Sequence, residues 1–160
     1  MKTFKGIFTF FLLGAIISGC TPKPTFPAIP ALTFKEFLPQ RSGSDSLTAV
    51  FTFTDGDGDI GVAPTDRDSN FLMTVYVPGA NGTYHVIDDP SFADPNDSIY
   101  YAYRIPHLTA GQVGLEGDIY VTLEHKSFIG RDTLQFNAFL LDQSHNKSNT
   151  VRTESVFITH

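Results

Sequence analysis

The sequence predicts an all-β protein built as an antiparallel β-sandwich. Three observations carry this. From Ala31 onward apolar residues recur with period two, not 3.6. No stretch beyond that point supports a helix of three turns. Turn residues punctuate the chain at short spacing, with Asn81-Gly82 as a hairpin signal.

The elements follow in order. Leu32, Phe34 and Phe37 mark a first strand. Leu47, Ala49, Phe51 and Phe53 alternate with polar or outward residues in a second, and Phe71, Met73, Val75 and Val77 form a third. Pro78 to Gly82 turns the chain into a short partner, Thr83 to Ile87. Ile99, Tyr101, Tyr103 and Ile105 read as a fifth strand; Ile119, Val121 and Leu123 as a sixth; Leu134, Phe136, Ala138 and Leu140 as a seventh. Val151 to Ile158 closes the chain. Seven to eight short strands in this length fit a sandwich of immunoglobulin or fibronectin-III type. Phe and Tyr supply apolar area for a core without disulfides. The chain has no Trp and one Cys, so it is not an antibody-type domain; a jelly roll or a small barrel is the alternative.

The 160 residues amount to one domain. Lys and Arg number 11 against 17 Asp and Glu, a net charge of −6. No basic stripe is present, which argues against a nucleic-acid binder. The N-terminus has a different character. Lys2 and Lys5 precede an apolar run from Ile7 to Ile17, too short to span a bilayer. The run ends Ile17-Ser18-Gly19-Cys20, which resembles the bacterial lipobox. The resemblance implies a signal peptide at 1–19, cleavage before Cys20, and palmitate-type acylation of Cys20 as a membrane anchor. Removing 19 of the 160 residues leaves 141, and the two lysines leave with them, so the mature charge is −8. The only thiol is then consumed by lipid. Residues 20–30 hold four prolines after Cys20 and read as an extended tether. Residues 31–160 form the sandwich.

One loop carries a chemical signal: Asp55-Gly-Asp57-Gly-Asp59-Ile-Gly61-Val-Ala-Pro-Thr-Asp66. Carboxylates at alternate positions repel one another, and a hard cation with oxygen ligands removes that cost. The loop resembles EF-hand-like and dockerin-like calcium loops. That likeness implies ligands from Asp55, Asp57, Asp59, the Gly61 carbonyl and Asp66. Two departures stand out: Ile60 occupies the usual glycine position, and Asp66 replaces a bidentate Glu. Calcium is therefore expected weakly, near 10⁻⁴–10⁻³ M, the range of extracellular modules. The alternative is a bare Asp/Gly turn.

A second polar loop, Asp142 to Asn149, looks like the D-x-x-G-N-x-S turn of bacterial immunoglobulin-like modules, with His145 in place of the glycine. Asp142 joins the ion site only if both loops lie at one end of the sandwich. Five strand crossings between them would separate the loops. Four would unite them, if Thr83–Ile87 is only a ragged hairpin edge. The two loops together look like those of small lipoproteins of Bacteroidota. That resemblance implies an immunoglobulin-like fold in the cell envelope, anchored in the outer membrane, and brings no activity. No acidic cluster follows Cys20, which in that phylum favours a periplasm-facing position. Asp-Ser/Thr-apolar triplets at Ser46, Ser98 and Thr133 match its O-glycosylation pattern.

No catalytic constellation appears. His85, His107, His125, His145 and His160 lack zinc spacing. No nucleophile elbow is present. The expected role is a non-catalytic binding or scaffolding module with an envelope protein or glycan as partner. The second reading is a carbohydrate-binding accessory of a glycan-uptake system, using tyrosines such as Tyr101 and Tyr103.

Overall fold

The computed structural model describes residues 25–39, 46–87, 101–108, 114–124 and 132–158. Residues 1–19, where a signal peptide is expected, Cys20, Ser98, His125, His160 and the Asp88–Asp97 loop lie outside them. The described residues contain no helix. Nine strands form two antiparallel sheets: β1 (Ala31–Phe37), β2 (Ser46–Asp55), β3 (Phe71–Pro78), β4 (Tyr84–Val86), β5 (Tyr101–Tyr103), β6 (Leu115–Glu124), β7 (Thr133–Leu140), β8 (Val151–Arg152) and β9 (Val156–Phe157). One sheet has the order β1-β2-β6; in the other, β3 and β7 are central. Early strands 1 and 2 thus share a sheet with a later one, while 3 pairs with 7, the strand arrangement of an immunoglobulin-like sandwich.

The core is the inward set of both sheets. Leu47, Ala49, Phe51 and Phe53 of β2 face Phe71, Met73, Val75 and Val77 of β3 and Leu134, Phe136, Ala138 and Leu140 of β7. The Phe51 ring meets Phe71 edge-on at 5.3 Å and Phe34 at 5.6 Å. Phe34 and Phe37, three residues apart, both reach this core because the register slips at Lys35. The bulge inserts one residue and returns Phe37 to the inner face.

Three elements differ from the sequence expectation. The fifth strand is only three residues long. Its continuation is stopped by Asn70, whose Oδ1 takes the Ile105 N–H at 2.7 Å, and by Pro106, which has no N–H. The closing strand is split in two. Thr153 is buried between β8 and β9, and its Oγ1 accepts the Phe136 N–H at 3.0 Å where a ladder carbonyl would stand. Finally, β4 and β5 lie along the same edge of β3, one against Tyr76–Pro78 and the other against Phe71–Met73. Both run antiparallel to β3, so together they make one crossing.

That pairing settles the parity. Between the two polar loops the chain crosses the sandwich four times, along β3, β4 with β5, β6 and β7. The loops therefore meet at one end. The N-terminal segment arrives at the same end, because Ala31 pairs with Thr54. The chain leaves at the other, where Phe157 pairs with Thr133.

Candidate metal centre

Asp55 occupies the next inward position of β2 after Leu47, Ala49, Phe51 and Phe53. Strand periodicity therefore carries its carboxylate to the rim of the core, and the residue is 0% exposed. The chain then turns back over it. Gly58 adopts φ 75°, and the Asp59 N–H donates to Asp55 Oδ2 at 2.9 Å. This folds Asp57 and Asp59 toward the same point. One carboxylate oxygen from each of Asp55, Asp57 and Asp59 lies within 4.8 Å of the others. Asp57 is the exposed member and Asp59 is half-buried.

The electrostatics of the trio are unfavourable as it stands. Asp55 Oδ1 and Asp59 Oδ1 are buried with no hydrogen-bond partner among the described residues. Burial, followed by the charges of Asp57 and Asp59, pushes the Asp55 carboxyl up to about 6 from 3.8. The Asp59 N–H opposes this, and the charge of Asp142 adds to it. The donor set is all carboxylate, which suits a hard divalent cation at one exposed and two sheltered oxygens.

The loop is braced from the second polar loop. Ile60 is fully buried and pairs with Asp142 in an isolated antiparallel bridge. The Gln143 N–H donates to the Asp59 carbonyl at 3.1 Å, and the Ser144 hydroxyl to Asp59 Oδ2 at 2.8 Å. Asp142 is itself buried, but its carboxylate faces its own turn. Oδ1 accepts the Asn146 N–H at 2.7 Å and Oδ2 accepts Asn146 Nδ2 at 2.9 Å. His145, where that turn motif has glycine, sits at φ 64°.

Asp66 also lies outside the trio. Its Oδ1 accepts the Asp68 N–H at 3.0 Å, and it lines an open cleft of about 430 Å³ together with Asp68, Asn70, Asp142 and His145. Gly61 has φ 102°, and a Cβ there would collide with the Pro106 carbonyl and His107. Its position is set by the neighbouring segment: Val62 donates to the Ile105 carbonyl and accepts from the His107 N–H.

The remaining predicted positions are elsewhere. Ser46 opens β2 and Thr133 opens β7, both half-buried at the far end. Tyr101 and Tyr103 stack at 6.2 Å and pack against the core, and burial pushes the Tyr103 hydroxyl up to about 12. The sequence carries no signal for the Ser144 brace, because hydroxyls in polar turns have no pattern of their own.

No family model matches the chain, and neither a curated protein nor a solved structure is similar enough to supply a relative. The functional reading therefore stands on the residues themselves.

Proposed function

We propose that this protein is a cell-envelope lipoprotein, anchored through Cys20 in the outer membrane and facing the periplasm, of the kind the Bacteroidota resemblance implies. Its sandwich is a non-catalytic binding or scaffolding module, and calcium at Asp55, Asp57 and Asp59 fastens the loop end. The anchor rests on the lipobox-like Ile17-Ser18-Gly19-Cys20 and the apolar run before it. The calcium reading is carried by one observation: the fully buried Asp55 has an unpartnered carboxylate oxygen beside two further carboxylates. An isolated buried charge is costly, and an ion is the group that would satisfy it. The exposed Asp57 gives the ion a path to solvent. Gly61 and Asp142 brace the loop around this site, and Asp66 lies outside it.

The test is a thermal melt of the mature protein with calcium against chelator. Calcium at ten times its Kd contributes about 1.4 kcal/mol by mass action, a rise of about 3–5 °C for a domain of this size. The double variant Asp57→Ala, Asp59→Ala abolishes the rise. An unchanged wild-type melting temperature removes the ion from the proposal. The anchor is tested separately: mass spectrometry of the mature N-terminus reads acylated Cys20, and Cys20→Ala moves the protein to the soluble fraction.

A further inference from the structure

The tether is shorter than its composition suggests, because its second half is docked on the acidic loop. The Gly56 N–H donates to the Pro27 carbonyl at 2.8 Å. A Cβ at Gly56 would collide with the Phe26 carbonyl, so the two backbones are in contact there. The Phe26 ring lies against Gly114, beside the Asp55 carbonyl. Pro30 is buried before β1 begins.

We infer that the acidic end of the sandwich is the membrane-facing surface of the domain, with the lipid headgroup layer as its partner. This rests on Cys20 as the point of attachment. Only six residue steps separate Cys20 from Phe26. Even a fully extended chain of that length spans no more than about 22 Å. The ten residues of β2 extend the domain by about 33 Å from that end. The far turn at Gly79–Gly82 and the end of β9 therefore point away from the bilayer. The trio Asp55, Asp57 and Asp59 is at the near end, next to the clamped segment. Its carboxylates alone repel an anionic surface, whereas a divalent cation held there meets lipid phosphates through the exposed Asp57 side.

The chain lends itself to a direct test, since it has no Trp and a single Cys. The mature protein is coupled through the Cys20 thiol to maleimide lipid in phosphatidylcholine vesicles bearing dansyl headgroups. One Trp is introduced at an exposed turn position, either Thr65→Trp in the acidic loop or Asn81→Trp at the far turn. Circular dichroism melts establish that each variant folds. The expected result is several-fold stronger energy transfer from the Trp at position 65 than from that at 81. Equal transfer, or stronger transfer from 81, overturns the orientation. Coupling is chemical, so the outcome does not depend on whether cells acylate Cys20; the mass measurement above decides that point alone.

Discussion

Ile60 and Asp142 pair across an isolated bridge and lock the acidic loop to the turn after β7. Ile60 is one of the two departures from a calcium-loop pattern, and its side chain is fully buried in the core. Where that pattern has glycine, this loop inserts a hydrophobic peg. One side of the loop is held by that peg and by Ser144, the other by Pro27 on Gly56. The carboxylates between these braces are thus held in place without an ion, which would lower the ordering cost of binding one.

Asp55 gives the first prediction, in pH. Its folded pKa of about 6 lies above the ordinary 3.8, so the folded state holds the proton more tightly. The stabilisation is fully present below about pH 3.8 and is lost as pH rises through about 6. In chelator, wild type therefore gains about 1–2 kcal/mol relative to Asp55→Asn between pH 7 and pH 4. At pH 7 Asp55→Asn is the more stable protein without calcium and has lost its calcium response. Urea unfolding at both pH values reads the difference; parallel profiles for the two proteins contradict the buried-carboxylate account.

A second prediction concerns the core. Phe51 is 0% exposed and contacts the rings of Phe34 and Phe71, joining the two sheets. Phe51→Ala leaves a cavity between sheets that cannot collapse, at a cost of about 3–5 kcal/mol. Phe51→Leu retains most of the volume and costs less. Chemical denaturation of both checks the order. A loss under about 1 kcal/mol for the alanine variant would mean that the sheets pack differently.

The strands are legible because a half-buried strand must alternate: β3 and β7 alternate cleanly, and β2 does so except at Val50, which is buried along with its inward neighbours. The same alternation carries Asp55 inward, two residues beyond Phe53, whereas the sequence alone reads it as the start of the loop. What the sequence hid is non-local. The stop of β5 depends on an amide from Asn70, and the split of the last strand depends on Thr153 meeting Phe136. The crossing parity depends on β4 and β5 sharing one edge of β3. The prolines of 20–30 read as a spacer, yet a single backbone bond from Gly56 docks their second half.

Gly61 carries the third prediction. Its φ of 102° disfavours any side chain, and the Pro106 backbone occupies the space of a Cβ. Gly61→Ala must displace residues 105–107, and the two hydrogen bonds joining them to Val62 go with it. The cost is about 3 kcal/mol or more, from strain and lost backbone bonds together. Amide exchange should show Val62 and His107 losing protection together. Retention of both protections would show that the close approach is not needed.

The fourth prediction concerns Asn149. Its Oδ1 accepts the Leu32 N–H at 2.9 Å and its Nδ2 donates to the Leu32 carbonyl at 2.8 Å, imitating a strand neighbour for β1. The pair ties the three-stranded sheet to the loop following β7. Asn149 is exposed, so solvent competes for these bonds, and Asn149→Ala costs about 1 kcal/mol. Asn149→Asp keeps the acceptor but sets a carboxylate oxygen against the Leu32 carbonyl. It is the worse substitution at pH 7, and it recovers toward wild type as acid converts that oxygen into a donor. Urea midpoints of the three proteins at pH 7 and pH 4 test this; an aspartate variant as stable as wild type at pH 7 would show that the donor bond contributes nothing.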